Sequence, residues 1–187
     1  MNALALLDAE RSLLLIVDMQ ARLVASMPDE AWGSARDATI TLARGAGELD
    51  IPVLVTRQYP KGLGPTDGDI EAALPDAAVS IDKTCFSACG ADELMESIRA
   101  SGRDRVVVCG MEAHVCVLQT VADLAARGPM PVVVGDAVCS RRAEHRDNAL
   151  ARMAAGGATV TNHESVLFEW LRDARHEKFK AISALLR

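Results

Sequence analysis

The sequence predicts an α/β fold, a three-layer α/β/α sandwich built around a central parallel sheet, and three observations carry that expectation. Short β-branched apolar runs alternate with longer helical patterns from one end of the chain to the other. The runs LLLIV and RVVVC are continuously apolar rather than alternating, so both faces of the sheet must be covered. The connections between runs are long enough to carry a helix each, which makes neighbouring strands parallel. With 187 residues, half of them hydrophobic, residues 1–187 suffice for one domain with a sizeable core.

Taken in order, Leu13 to Val17 reads as a buried strand, followed by a helix from near Asp29 to Leu49. Pro52 to Thr56 is the second strand. The glycines and prolines of Arg57 to Asp69 (RQYPKGLGPTDGD) mark a long loop. Ala78 to Asp82 is a weaker strand and Ala91 to Ala100 a helix capped by Gly102. Arg105 to Cys109 is a strong strand, and Val115 to Arg127 a helix closed by Gly128. Pro131 to Gly135, Glu144 to Ala155 and Ala158 to Thr161 repeat the strand–helix–strand pattern. Glu164 to Arg187 makes the last helix, in one piece or two. Its apolar stripe, Trp170, Phe179, Ile182 and Leu186, packs either on its own sheet or at a subunit interface.

Composition excludes several functions. A formal net charge of −6, the lack of a basic run and only 3% aromatics argue against nucleic-acid binding. The amino-terminal stretch MNALALLDAERSLLLIVDMQ is apolar, yet no basic residue precedes it and Asp8, Glu10 and Arg11 interrupt it. A signal peptide is not expected, nor is a membrane span, so the expected location is cytoplasmic. The five cysteines, at 85, 89, 109, 116 and 139, are then expected as free thiols. Cys85 and Cys89 lack the further ligands of a zinc site, so no metal is expected. The G-x-G pairs at Gly45/Gly47 and Gly62/Gly64 lack the strand–helix setting and third glycine of dinucleotide binding, so no cofactor is implied.

In parallel sheets ligands bind beyond the carboxyl ends of the strands. Asp18 follows the first strand, Lys83 the weak third one, and Cys116 the loop after RVVVC. An acid, a base and a thiol on one sheet edge suit acyl transfer. The helix starting near Cys116 favours a thiolate, so a depressed thiol pKa is expected. Asp18 serves as general base and acid, and Lys83 supplies a fixed positive charge. Cys109 and Cys139 read as packing residues, whereas Cys85 lies two residues past Lys83 and is a candidate for lining the same cleft. His114 is too close in sequence to Cys116 to face it from one helical turn. The remaining histidines read as surface or packing residues, and Asp136 as a structural hydrogen-bonding group.

The ordered set LLLIVDMQ, IDKTCFS and GMEAHVCVLQTVADLAARG, continuing through VVVGDAVCSR and NALARMAAGGATVTNHESVLFE, closely resembles the isochorismatase-like cysteine hydrolases. The resemblance covers nearly the whole chain. It implies a Rossmann-like topology and a catalytic triad of Asp18, Lys83 and Cys116. It also implies a non-proline cis peptide at Met111–Glu112, with an oxyanion hole from the backbone N–H groups of Glu112 and Cys116. The Glu112 side chain need not then be catalytic. Metal-dependent nicotinamidases of the family carry histidines after the second strand, and RQYPKGLGPTDGD has none. The nucleophilic cysteine favours cleavage of a C–N bond in a small amide or ureide through a thioester. Gln20, Gln58, Tyr59, Phe86 and Val115 are the expected pocket residues, and a homo-oligomer is the expected assembly. Three competing readings are isochorismatase-type ether hydrolysis, a thiol redox or stress protein using Cys116 with Cys85 nearby, and a catalytically silent scaffold.

Overall fold

A computed structural model describes residues 6–187; the start of the amino-terminal apolar stretch, residues 1–5, lies outside the described residues. The first half of the chain forms β1 (Ser12–Val17), α1 (Ala21–Val24), α2 (Asp29–Glu48), β2 (Val53–Gln58), α3 (Pro60–Leu63), α4 (Gly68–Glu71) and β3 (Val79–Lys83). The second half forms α5 (Asp92–Ser101), β4 (Arg105–Met111), α6 (Leu118–Arg127), β5 (Met130–Cys139), α7 (Ala143–Ala155), β6 (Thr159–Thr161), α8 (His163–Leu171) and α9 (Phe179–Ala184).

The six strands pair in parallel in the order β3-β2-β1-β4-β5-β6. Because side chains alternate across a strand, each continuous apolar run feeds two cores. Leu14 and Ile16 of β1 join one core with Trp32, Leu42, Leu167, Trp170 and Ile182 from α2, α8 and α9. Leu13, Leu15 and Val17 join the other with Leu94, Ile98, Val121, Leu124 and Met153 from α5, α6 and α7. The three-layer sandwich expected from the sequence is therefore present, and the stripe of the last helix resolves as core. Trp170 and Ile182 are buried, and Phe179 and Leu186 pack against them.

Several elements differ from the sequence reading. Arg57 and Gln58 extend β2, and the glycine- and proline-rich segment after them holds the single turns α3 and α4 rather than plain loop. The helix expected from Val115 begins as one wide π-turn, Ala113–Val117, before α6 proper. The last helix is two pieces, α8 and α9. β5 runs four residues past Gly135, because an irregularity absorbs extra chain: Val108 faces Val133 while Gly110 faces Val138.

Strand succession reverses between β1 and β4, since the chain winds outward from β1 to β3 on one side and from β4 to β6 on the other. The crevice beyond the carboxyl ends of these two strands is where this architecture places a ligand. Gly110 shapes it. Its φ is +126°, and a Cβ there would lie 2.1 Å from the Val17 carbonyl oxygen. Only glycine lets β4 pass this close to the end of β1 and deliver the following loop beside Asp18. Gly110→Ala is expected to lower unfolding stability by about 3 kcal/mol through strain and clash. A urea titration with an unchanged midpoint would show that the close approach is not needed.

Candidate active site

Asp18 sits immediately past β1 in a left-handed backbone conformation, φ +52°, which aspartate tolerates better than most residues. Its side chain is fully buried. The Thr56 hydroxyl, two residues before the end of β2, donates to Asp18 Oδ1 at 2.8 Å, and Lys83 Nζ, at the end of β3, donates to Oδ2 at 2.5 Å. The Lys83 side chain has no exposure at all. Its ammonium also meets Gln58 Oε1 at 2.7 Å, the Phe86 carbonyl at 3.1 Å and the Cys85 carbonyl at 3.2 Å. An ammonium has three protons, and four protein oxygens surround this one. Lys83 is thereby a fixed positive charge, with its protons already committed.

Cys116 occupies the π-turn that leads into α6 and is 6% exposed. Thr120, one turn later, donates its hydroxyl to the Cys116 carbonyl at 2.7 Å and accepts the Ala88 N–H at 2.8 Å. Two further residues of α6 hold the segment after Lys83: Asp123 accepts from Ser87 Oγ at 2.6 Å, and Arg127 donates to the Cys89 carbonyl at 2.7 Å. The helix thus grips the loop whose carbonyls surround the lysine. The expected low thiol pKa is corrected here. Burial pushes the Cys116 thiol up to about 12; the Asp18 charge adds to the rise, and the Lys83 ammonium opposes it. Helix-start placement does not compensate for lost hydration beside a carboxylate. Cys116 rests as a neutral thiol. Cys109 and Cys139 are likewise pushed up to about 12 by burial, and Cys89 to about 11.

The Met111–Glu112 peptide bond is cis. The Glu112 carbonyl accepts the N–H groups of Val115 at 3.0 Å and Val117 at 3.3 Å, while the Glu112 N–H has no hydrogen-bond partner among the described residues. Its carboxylate is 5% exposed and lies against Arg141, whose Nη2 donates to Oε1 at 2.6 Å. Burial pushes the Glu112 carboxyl up, but the hydrogen bonds and charge of Arg141 outweigh it and leave it below the usual range. His114 is engaged elsewhere than with Asp18, Lys83 and Cys116: its Nδ1 lies 3.0 Å from Ser140 Oγ, and its ring packs 4.7 Å from that of His145. Asp136 bonds the N–H and ring of His163 at 3.0 and 2.7 Å, the structural role expected of it.

The expected pocket residues divide. Tyr59 is 54% exposed and lines an open cleft of about 480 Å³ that borders Lys83 and Cys85. Phe86 is 55% exposed and Val115 half-buried, outside that cleft's lining. Gln20 is a correction. It is fully buried; its amide donates to the Gln58 and Gly64 carbonyls at 3.0 and 2.7 Å and accepts the Gln58 N–H at 2.7 Å. It pins the Tyr59–Gly64 turn and has no proton left to donate to a ligand. Gln58 is engaged as well, its Oε1 accepting from Lys83 and one amide proton going to the Thr84 carbonyl, so it orients the lysine. Among the described residues no group of three or more His, Cys, Asp or Glu side chains is placed to hold a metal.

The Isochorismatase domain family model matches residues 12–165, from the first strand to the start of α8, a span that includes Asp18, Lys83 and Cys116. The chain belongs to the isochorismatase-like hydrolase family. It is 36% identical over 181 residues to isochorismatase domain-containing protein 2A of Mus musculus, covering 95% of this chain and 84% of that protein. The structure of MAR1 ribonuclease from Caenorhabditis elegans superposes with a TM-score of 0.92 at 34% identity, over 97% of this chain and 92% of that one. That of YcaC from Pseudomonas aeruginosa with hexane-2,5-diol and covalent acrylamide superposes with a TM-score of 0.91 at 27% identity, over 99% and 93%.

In this isochorismatase-like hydrolase the sequence reading missed Thr56, Thr120 and Arg141. Thr56 had a signal: a hydroxyl ending an apolar strand, across from Asp18 in the neighbouring one. Thr120 follows Cys116 by four residues, the spacing that reaches a carbonyl one turn back. A neutral thiol has a kinetic signature, because the thiolate is the form that alkylates. The rate of Cys116 modification by iodoacetamide is expected to climb about tenfold per pH unit from neutrality to about pH 10 without levelling. A plateau above about pH 7 would mean that the thiol is already ionised.

Proposed function

We propose that the chain hydrolyses the C–N bond of a small amide or ureide through a thioester on Cys116, with Asp18, Lys83 and Cys116 as its catalytic triad. The observation that carries this reading is the Asp18 carboxylate, buried, held between Thr56 and Lys83 and placed beside the Cys116 thiol at the β1–β4 crevice. As sulfur attacks the carbonyl carbon, the thiol proton passes to Asp18. The carbonyl π electrons move onto oxygen, and the backbone N–H groups of Glu112 and Cys116 receive the charge. The C–N bond then breaks and Asp18 gives its proton to the departing nitrogen. Water, deprotonated by Asp18, hydrolyses the thioester and restores the thiol. Lys83 holds the carboxylate in place through these transfers.

The covalent acrylamide in the P. aeruginosa YcaC structure supports the view that this scaffold presents a group able to react with small electrophilic amides. The C. elegans neighbour is named a ribonuclease, but a formal net charge of −6 sets this chain against a polyanionic substrate. The reading includes a cytoplasmic homo-oligomer, whose size sedimentation velocity measures.

A panel of small amides and ureides, assayed for ammonia or amine release, is the test. Turnover of at least one compound is expected, with Cys116→Ser and Asp18→Asn lowering kcat by about 10²–10⁴-fold while circular dichroism stays unchanged. Turnover that survives Cys116→Ser would overturn the thioester route. Cleavage confined to vinyl ethers would replace it with the ether-hydrolysis reading.

A further inference from the structure

Glu112 is a buried anion that the proposed chemistry does not use through its side chain. A buried carboxylate must be compensated for its lost hydration, and here the compensation comes from one residue, Arg141, whose side chain is itself 55% exposed. What this pairing fixes is one backbone group. The carboxylate of Glu112 accepts the Arg141 backbone N–H at 3.0 Å, Nε at 3.0 and 3.1 Å and Nη2 at 2.6 Å. The carbonyl of Glu112 accepts Val115 and Val117. Side chain and carbonyl are both anchored, and the N–H, unpartnered among the described residues, is left held in a fixed direction.

Arg141 is itself aimed by the irregularity in β5. Two steps of β4, Val108 to Gly110, match five of β5, Val133 to Val138, after which Met111 faces Cys139. The Arg146 guanidinium, from α7, closes this region by donating to the Gly135 and Val138 carbonyls. Strand irregularities beside active sites re-aim the residues that follow them. Here they bring Ser140 to His114 and Arg141 to Glu112, one on each side of Ala113.

We propose that the Glu112–Arg141 ion pair, set by the β5 irregularity and Arg146, is the positioning device for the oxyanion-binding N–H of Glu112. The proposal rests on the acyl-transfer reading of Cys116. Arg141 and the Glu112 carboxylate act through the backbone and touch no reacting atom.

The test separates two reactions of the same sulfur. p-Nitrophenyl acetate acylates Cys116 through a tetrahedral oxyanion, forming the S-acetyl bond and releasing p-nitrophenol. Iodoacetamide alkylates it by displacement of iodide at carbon, with no oxyanion on the carbonyl. In Glu112→Gln and Arg141→Met, acylation read by p-nitrophenolate release and intact mass is expected to fall about 10²-fold, the scale of one lost oxyanion donor. Alkylation should stay within about twofold of wild type, because no transition-state charge on oxygen is involved. Arg141→Lys, which keeps the charge but loses the two-pronged grip, should recover part of the loss. Equal falls in both rates would mean that the pair merely supports the fold, and unchanged acylation would mean that it positions nothing; either overturns the proposal. Wild-type protein that is alkylated but never acylated overturns the acyl-transfer reading itself, and this inference with it.

Discussion

A buried ion pair, Asp18 with Lys83, is the constraint on which the rest of the site depends. Two charges withdrawn from water cost several kcal/mol each unless hydrogen bonds replace the lost hydration. The surrounding chain is arranged to replace it. Thr56 and Gln58 come from β2, the Cys85 and Phe86 carbonyls from the loop after β3, and Gln20 secures the backbone of Gln58. This explains how an edge strand as short as β3, largely exposed along its length, still delivers a fully enclosed lysine. The segment that follows those two carbonyls is in turn held by α6, the helix that follows Cys116, so positions of the thiol and the ammonium are linked through Thr120, Asp123 and Arg127.

That arrangement decides which protonation state rests in the crevice. A thiol enclosed by apolar side chains and facing a carboxylate keeps its proton, and one lysine, shared among four oxygens, does not reverse the balance. Under the proposed mechanism this is an advantage for selectivity. The sulfur becomes a strong nucleophile only as its proton moves to Asp18, and that transfer is favourable only when a carbonyl is placed to receive the electrons and the loop N–H groups to receive the charge. Attack and deprotonation are then one event, gated by substrate placement rather than by a standing thiolate open to oxidation.

Much of this was legible in the sequence because it depends on local periodicity and on one architectural rule. The runs LLLIV and RVVVC betrayed a sheet covered on both faces, and residues just past parallel strands led to Asp18 and Lys83. The misreadings share a cause: each needed a contact between distant segments. Gln20 and Gln58 looked like ligand-facing amides, but their partners are carbonyls of a turn about forty residues away for the first and a lysine on the next strand for the second. The helix that follows Cys116 favours a thiolate, whereas burial and Asp18 set its proton affinity. Arg141 was hidden because it reaches Glu112 only after β5 takes up extra residues, which no alternation pattern in PVVVGDAVCSR reveals. Asp136, whose role needs only the neighbouring strand's end, was read correctly.

The protonation of Cys116 is directly observable as its S–H stretching band in the infrared spectrum, isolated by subtracting the spectrum of Cys116→Ala at neutral pH. A band present in the resting protein, and shifted in Asp18→Asn where the facing charge is gone, is the expected result. If subtraction leaves no S–H band at Cys116, the resting sulfur is a thiolate. Asp18 then has no proton to accept, and the coupling of attack to proton transfer fails.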